Sequence, residues 1–167
     1  MNSITISGTL MKVGDKTEIL CPRDSGVFDR IILEGLDNLD EIEGSNVIIY
    51  GNLKSRKRGN LSILVKDIYE TAELGINLVE LEGRICKISE KRIATKNREV
   101  ITVILAIGNG YYIPCIFWNS NARAIEKHVI GDKIRLDGRL QSRTFYKSVL
   151  DTKIPKTTYE VSVMKLL

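Results

Sequence analysis

The sequence predicts an all-β protein made of two copies of one small unit. Apolar and polar residues alternate along several short segments, as they do in strands with one buried face. Similar segments recur in the same order in both halves of the 167-residue chain. The composition, with 43% hydrophobic and 28% charged residues, is typical of a globular protein with a core.

The internal repeat consists of three matched pairs of segments. Their offsets are 75, 87 and 98 residues, and the increase requires only longer loops in the second copy. We therefore expect one domain over residues 1–74 and a second over residues 75–167. The matched pairs are 2–13 with 77–88, 44–56 with 131–143, and 61–65 with 159–163.

The first unit is expected to begin with a strand that is followed by a turn-rich stretch. Residues 57–60, Lys-Arg-Gly-Asn, predict a hairpin turn because glycine and asparagine tolerate positive φ angles. The expected elements are strands over 3–13, 27–33, 46–55 and 61–69, with a short helix over 36–42.

The second unit is expected to contain five strands and one helix. Pro114 cannot donate a ladder hydrogen bond, so it implies a bulge or an edge position in its strand. The expected elements are a strand over 78–88, a basic loop over 90–98, strands over 100–107 and 111–118, a helix over 122–129, a strand over 134–146, a long loop over 147–156 and a final strand.

Five short strands with a small helix between the third and fourth are the pattern of an OB-fold. This fold is a Greek-key barrel that binds oligonucleotides on the face of its second and third strands. SH3-like barrels have similar strand counts, but the helix favours the OB-fold. The predicted fold class is therefore all-β, with one short helix per unit and two tandem five-stranded OB-fold barrels.

The segment Tyr111–Trp118 (YYIPCIFW) has two different faces when it is read as a strand. Ile113, Cys115 and Phe117 suit a core, whereas Tyr112 and Trp118 fall on the opposite face. Rings on an exposed sheet stack on unpaired bases. The alternative is that both are ordinary core or interface aromatics, as large aromatics usually are.

Cations accompany these rings in the second unit. The strand that follows the helix places three arginines and Phe145 on one face, and the basic loop adds further cations. Guanidinium and ammonium groups beside aromatic rings are typical of sequence-tolerant single-strand binders, although loop lysines also serve solubility. The cations expected to contact the nucleic acid are Arg135, Arg139, Arg143, Lys91, Arg92, Lys96 and Arg98. Tyr146 and Lys147, which follow Phe145, are also expected to contact it.

The formal charge is divided unevenly between the two units. Residues 1–74 carry a net charge of −3 and residues 75–167 a net charge of +7. A basic half is compatible with a polyanionic partner, and an acidic half argues against binding along the whole chain.

The second half resembles the DNA-binding domain of bacterial single-stranded DNA-binding protein (SSB) and, more distantly, primosomal replication protein B. The resemblance implies that Tyr112, Trp118 and Phe145 stack on bases. One stacking position of the family falls in the turn 108–110, so we expect that platform to be missing unless Tyr111 substitutes for it. We also expect no acidic recruiting tail of the kind usual in that family. The matching segments are 77–85 (NLVELEGRI), 103–106 (VILA), 113–122 (IPCIFWNSNA), 131–145 (GDKIRLDGRLQSRTF) and 157–161 (TTYEV).

The first unit matches this family only weakly. The alignment gives Val27, Leu33 and Arg58 where the second unit has its three rings, so we expect a degenerate OB-fold that serves architecture or dimerisation. A basic cluster at its hairpin is either a set of secondary phosphate contacts or a solvated charged turn. The cluster consists of Lys54, Arg56, Lys57 and Arg58.

We therefore expect non-catalytic binding and protection of single-stranded DNA, in replication, repair, or plasmid or phage transfer. The alternatives are a protein-interaction module and an RNA-binding protein. We expect no metal site, since the single histidine has no cysteine nearby and the three cysteines have no ligand spacing, and we expect no cofactor. We also expect no catalytic residues, because Cys115 falls in the core-facing register and the sequence has no phosphate-binding glycine loop. We also expect a cytoplasmic homodimer that presents four OB-folds.

Overall fold

The structure, a computed structural model, describes residues 1–35, 37 and 39–167, without the side chains at positions 39, 40, 58 and 109. Within these residues, no helix has the length and apolar character that crossing a membrane requires. The elements are β1 (Asn2–Val13), β2 (Lys16–Pro22), β3 (Phe28–Glu34), β4 (Asn46–Ser55), β5 (Leu61–Glu70), β6 (Asn77–Ile88), β7 (Arg92–Ile93), β8 (Glu99–Ile107), β9 (Tyr111–Trp118), α1 (Ser120–Ile125), β10 (Lys133–Val149) and β11 (Thr152–Leu166).

The strands close into two barrels with the same strand order. In the first barrel, β1, β2 and β3 form a meander, β3 pairs in parallel with β5, and β4 returns to β1. In the second barrel, β6, β8 and β9 form the meander, β9 pairs in parallel with β11, and β10 returns to β6. The predicted all-β class with two OB-fold barrels is confirmed.

The two barrels share one pairing register. Ile4 pairs with Gly51 in the first barrel, and Val79 pairs with Gly138 in the second, so the partners differ by the offsets of 75 and 87 found in the sequence. Both fourth strands have a register shift just before the glycine. A Cβ on Gly51 or Gly138 would lie 2.2 Å or 2.6 Å from a backbone carbonyl oxygen of the next strand, which explains the glycines.

A matched pair of asparagines fixes the fourth strand of each barrel. The Asn2 side chain donates to the Leu53 carbonyl (2.8 Å) and accepts from the Leu53 N–H (2.9 Å). The Asn77 side chain makes the same two bonds with Leu140, at 2.8 Å and 2.9 Å. Each asparagine amide therefore provides hydrogen-bond partners for backbone groups of the fourth strand, at the point where that strand no longer pairs with the first strand.

The two barrels are joined by direct pairing of their first strands. β1 and β6 run antiparallel, with Ile4 opposite Val79 and Ile6 opposite Asn77. The buried faces of the strands form one hydrophobic cluster that extends through both barrels. The strands therefore form a single sheet, in which the first barrel continues from β1 and the second barrel continues from β6.

Two predicted elements of the first unit need correction. The stretch after β1 is not merely turn-rich, because Lys16–Pro22 forms β2, with Ile19 and Cys21 buried in the period of a strand. The helix predicted over 36–42 is a 3₁₀ turn at Leu39–Ile42, and positions 36 and 38 lie outside the described residues. The predicted hairpin turn contains a 3₁₀ segment at Lys57–Gly59.

In the second unit, the helix is shorter than predicted and the long loop is absent. Helix α1 ends at Ile125 because the N–H groups of Lys127 and His128 bond to carbonyls three residues back instead of four. The expected loop over 147–156 is a hairpin: β10 continues to Val149, and a two-residue turn at Leu150 and Asp151, with φ of 50° and 62°, leads into β11. We call residues 143–158 the arm.

Pro114 occupies an edge position. The register between β8 and β9 runs without a shift, and Pro114 lies opposite Ile104. On the other side of β9, β11 pairs only with Cys115 and Ile116, so this edge is open at the proline. The missing N–H is therefore compatible with the strand.

Candidate nucleic-acid interface

The Tyr112 and Trp118 rings on β9 are more exposed than its core-facing residues, as the alternation predicts, whereas Ile116, on the same face as these rings, is buried at 5% exposure. Ile113, Cys115 and Phe117 are fully buried, whereas Tyr112 is 56% exposed and Trp118 is half-buried. Burial raises the pKa of the Cys115 thiol, so this cysteine serves packing. The barrel thus leaves two rings at its surface, one near each end of the strand.

Trp118 is stacked on one side by an arginine of the basic loop. The guanidinium carbon of Arg98 lies 4.4 Å from the centroid of the indole ring, within cation–π range. The Nε of Arg98 donates to the Thr95 carbonyl at 3.2 Å, which holds the guanidinium in place. One face of the indole is therefore covered by a cation.

Trp118 lines a cleft of about 530 Å³ between the two barrels. Four arginines line it, and Glu160 is the only acidic residue among its described lining residues. This excess of positive charge favours an anionic ligand. We call it the Trp118 cleft; the residues that matter below are Arg98, Trp118 and Arg143 of the second barrel and Arg23, Phe28 and Arg30 of the first.

A buried ion pair anchors β10 to the first barrel at the base of this cleft. Asp29, 1% exposed, accepts from the Arg23 Nε (2.9 Å) and Nη2 (2.6 Å) and from the Ser142 N–H (2.9 Å). Arg23 Nη2 also donates to the Ser142 carbonyl at 3.0 Å, and the Asp29 carboxylate raises the pKa of Arg23. We call Arg23, Asp29 and Ser142 the Asp29 clasp.

The barrels meet at a second junction, which is equivalent in the internal repeat to the junction at Ser142. The Arg30 N–H donates to Ser142 Oγ at 2.9 Å, and the Tyr112 N–H donates to Ser55 Oγ at 3.1 Å. Ser55 and Ser142 correspond at the offset of 87 residues. At each junction, therefore, the third strand of one barrel is tied to the fourth strand of the other.

Tyr112 lies at the second junction and not in the Trp118 cleft. The six residue steps along the strand from Tyr112 to Trp118 span ~20 Å. Its neighbour Ser55 belongs to the basic hairpin of the first barrel, in which Lys54 pairs with Glu34 at 3.7 Å. Arg56 and Lys57 follow Ser55 directly, whereas the Arg58 side chain lies outside the description.

The arm carries the remaining predicted aromatics. Phe145 and Tyr146 are 39% and 69% exposed, on opposite faces of the hairpin. Phe145 shares its face with Arg143, which lines the Trp118 cleft. Lys147 lies farther along the arm, beside a groove that Ile32 and Asn60 of the first barrel also line.

The other predicted cations are dispersed over the second barrel. Arg135 lies opposite Glu82 on β6. It is eight residue steps along the strand from Arg143, a distance of ~26 Å. Arg139 is half-buried between them, while Arg92 and Lys96 are exposed in the basic loop. Lys91 forms ion pairs with Glu99 and Glu126, and its hydrogen bond to Glu126 raises its pKa. No group of three or more possible ligands in the described part of the chain could hold a metal ion.

The pairing corrects the alignment of the third strands. Leu33 lies beside Ile63 and Cys115 beside Val161, and Ile63 and Val161 match at an offset of 98. Leu33 therefore corresponds to Cys115 and not to Trp118. By the same count, Arg30 rather than Val27 corresponds to Tyr112.

Sequence analysis missed the contribution of the first barrel to the cleft. Phe28 is 54% exposed and Arg30 50% exposed, and both lie on β3. An exposed aromatic beside an arginine is the signal that identified Trp118 and its neighbours. It was overlooked because the first unit was judged on misaligned positions.

The fold is shared with known proteins. No model of a protein family matches the sequence, and no curated protein matches it. The structure of wild-type single-stranded DNA-binding protein from Thermus aquaticus is similar with a TM-score of 0.74 and 16% identity, over 100% of this chain and 92% of that one. A deletion mutant of that protein gives a TM-score of 0.69 and 17% identity, over 100% and 93%. The chain therefore has, over its whole length, the fold of the Thermus aquaticus single-stranded DNA-binding protein, and the resemblance drawn from the sequence is confirmed at the level of the fold.

Proposed function

We propose that this protein binds and protects single-stranded DNA without catalysing a reaction. The observation that carries the proposal is the Trp118 cleft, in which a partly exposed indole lies among four arginines and one carboxylate. Bases stack on such rings, at ~1–3 kcal/mol per base, while guanidinium groups contact phosphates. The shared fold with a protein named for single-stranded DNA binding supports the proposal.

The binding residues we propose follow from the positions of the rings and cations. Trp118 and Arg143 act in the cleft, Phe145 extends the same face along the arm, and Tyr112 forms a separate platform beside Ser55 of the basic hairpin. Duplex DNA binds poorly because its bases are already stacked on one another. The process served is replication, repair or DNA transfer, in which single strands arise.

The test uses the intrinsic fluorescence of the only tryptophan. Oligo(dT) should quench Trp118 at low salt, and log K should fall with log salt with a slope of about 0.7 per contacted phosphate. In anisotropy titrations with labelled oligo(dT), Trp118→Ala and Phe145→Ala should each weaken binding by about fivefold or more, which corresponds to ~1 kcal/mol of stacking. Ile130→Ala is the control, because this residue is 63% exposed and lies outside the cleft.

Each alternative has its own outcome in these titrations. Unchanged emission together with unchanged anisotropy of labelled oligo(dT) would reject single-stranded DNA binding, and a shift of the emission on addition of a partner protein would then favour an interaction module. Tighter binding of oligo(U) than of oligo(dT) would favour RNA as the partner.

We further propose that the second domain, residues 75–167, carries most of the binding and that the first, residues 1–74, mainly supports it.

We also propose that the protein forms a dimer. A second copy would cover the outer face of the joined sheet, where Tyr50, Tyr69 and Leu78 are 40%, 57% and 41% exposed and Thr5 lies between Tyr50 and Leu78. Light scattering should then give about 37.6 kDa, twice the chain mass of 18.8 kDa; a mass of one chain would exclude the dimer.

A further inference from the structure

The Trp118 cleft has a wall that belongs to the other barrel. Phe28 and Arg30 lie on β3 of the first barrel, yet they line the same cleft as Trp118 and Arg143. A ligand that stacks on the open side of Trp118 therefore meets the first barrel as well.

Phe28 is available as a stacking platform. It begins β3 opposite Pro22, and 54% of it is exposed, so it is not part of the core cluster. A ring in this position buries little of its apolar surface in the protein itself, and a nucleobase would cover more of it.

Arg30 has donors left for a phosphate. Its Nη2 donates to Glu18 at 2.9 Å, and its side chain is 50% exposed while Glu18 is 11% exposed. A guanidinium group has five N–H donors, so one ion pair leaves several for another anion. Glu18 also limits the motion of the side chain, which reduces the ordering that binding requires.

The Asp29 clasp fixes the distance between the two walls. It joins β3 to β10 through the buried hydrogen bond from the Ser142 N–H to Asp29, and the part-buried bond from the Arg30 N–H to Ser142 Oγ lies next to it. Phe28 and Arg30 flank Asp29 on β3, and Arg143 follows Ser142 on β10. Because the walls are held before a ligand arrives, the cleft is a preorganised site and not a gap between mobile domains.

We infer that single-stranded nucleic acid passes between the two barrels through the Trp118 cleft, where Phe28 stacks on a base and Arg30 contacts a phosphate. The first barrel thereby supplies part of the binding site and is more than a support. This inference rests on the proposed function and assigns the substrate path at the same site.

The test compares Phe28 variants in the full chain by anisotropy with labelled oligo(dT). Phe28→Ala and Phe28→Leu should each weaken binding at least fivefold, which corresponds to ~1 kcal/mol. Phe28→Tyr should restore binding because it keeps a ring, and Ile130→Ala should remain within twofold of the natural protein. The leucine variant separates stacking from apolar packing, and thermal unfolding verifies that all variants are folded.

Arg30 is tested together with its partner, so that no unpaired carboxylate remains. The double variant Glu18→Gln/Arg30→Gln should lower the slope of log K against log salt by about 0.7, which is one phosphate contact. An unchanged slope would remove Arg30 from the path.

The outcomes separate this inference from the proposed function. If oligo(dT) binds the natural protein and quenches Trp118, but Phe28→Ala loses less than fivefold, the path through the cleft is wrong while DNA binding stands. If the natural protein does not bind oligo(dT), the proposed function fails and the inference fails with it.

Discussion

Removing the Asp29 carboxylate should destabilise the whole chain. Asp29→Ala leaves the Ser142 N–H without its acceptor in a buried strand, at about 1–3 kcal/mol for an unsatisfied group. It also leaves Arg23 without its carboxylate partner. Breaking a fully buried pair costs ~3–5 kcal/mol, but the Arg23 side chain is 25% exposed and keeps the Ser142 carbonyl, so a smaller loss applies here.

Taken together, these terms give a loss of about 3 kcal/mol. For a chain of this size, each kcal/mol lowers the Tm by ~2–4 °C, so the expected decrease is ~6–12 °C. Asp29→Asn should lose less, about 1–2 kcal/mol, because its amide oxygen still accepts from the Ser142 N–H while the negative charge is lost. Thermal unfolding followed by circular dichroism gives both values.

Asp24→Ala is the matched control, because Asp24 is an exposed aspartate in the turn that precedes β3. It should leave the Tm unchanged within about 2 °C. If Asp29→Ala also melted within 2 °C of the natural protein, the clasp would contribute nothing measurable to stability and would not hold the cleft in a preorganised state.

Two further predictions concern titratable groups. The Ser62 hydroxyl and Lys54 hold the pKa of Glu34 below its ordinary value of 4.5. The stabilising effect of the ionised carboxylate should be complete above the unfolded-state pKa and be lost as the pH falls through the lowered folded-state pKa. Urea midpoints of the natural protein and Glu34→Gln should therefore differ at pH 7 and approach each other on acidification; a gap that widens on acidification would contradict this. Burial raises the pKa of the Cys21 thiol to about 11, and Cys115 is also buried. Ellman's reagent at pH 8 should therefore modify one thiol, Cys86, in the native protein and three in urea. Fast modification of more than one thiol in the native protein would contradict the burial of Cys21 and Cys115.

The sequence predicted best where one face of a strand is buried. Ile113, Cys115 and Phe117 alternate with a set that includes Tyr112 and Trp118, and this fixed the faces of β9, because a one-residue shift would move these three core side chains to the wrong side. The bounds of that strand agree with the prediction for the same reason. Gly51 and Gly138 were matched because close approach of the backbone restricts the residue type.

Prediction failed where neither face is buried or where contacts join distant parts of the chain. The arm is exposed on both faces, so its strands show no apolar alternation, and its turn at Leu150 and Asp151 contains no glycine. The Trp118 cleft depends on contacts such as the one between Asp29 and Ser142, which are 113 positions apart in the chain. No local pattern reports such a contact, so the sequence did not indicate that Phe28 and Trp118 line the same cleft.

The antiparallel pairing of β1 with β6 has a consequence for experiments that dissect the protein. Each of these strands satisfies backbone groups of the other, so a fragment that contains only one barrel would present an open strand edge along Asn77–Leu81 or its counterpart. Open edges template association between molecules. A truncated half would therefore be prone to self-association, and point substitutions in the intact chain are the sounder way to assign work to either barrel.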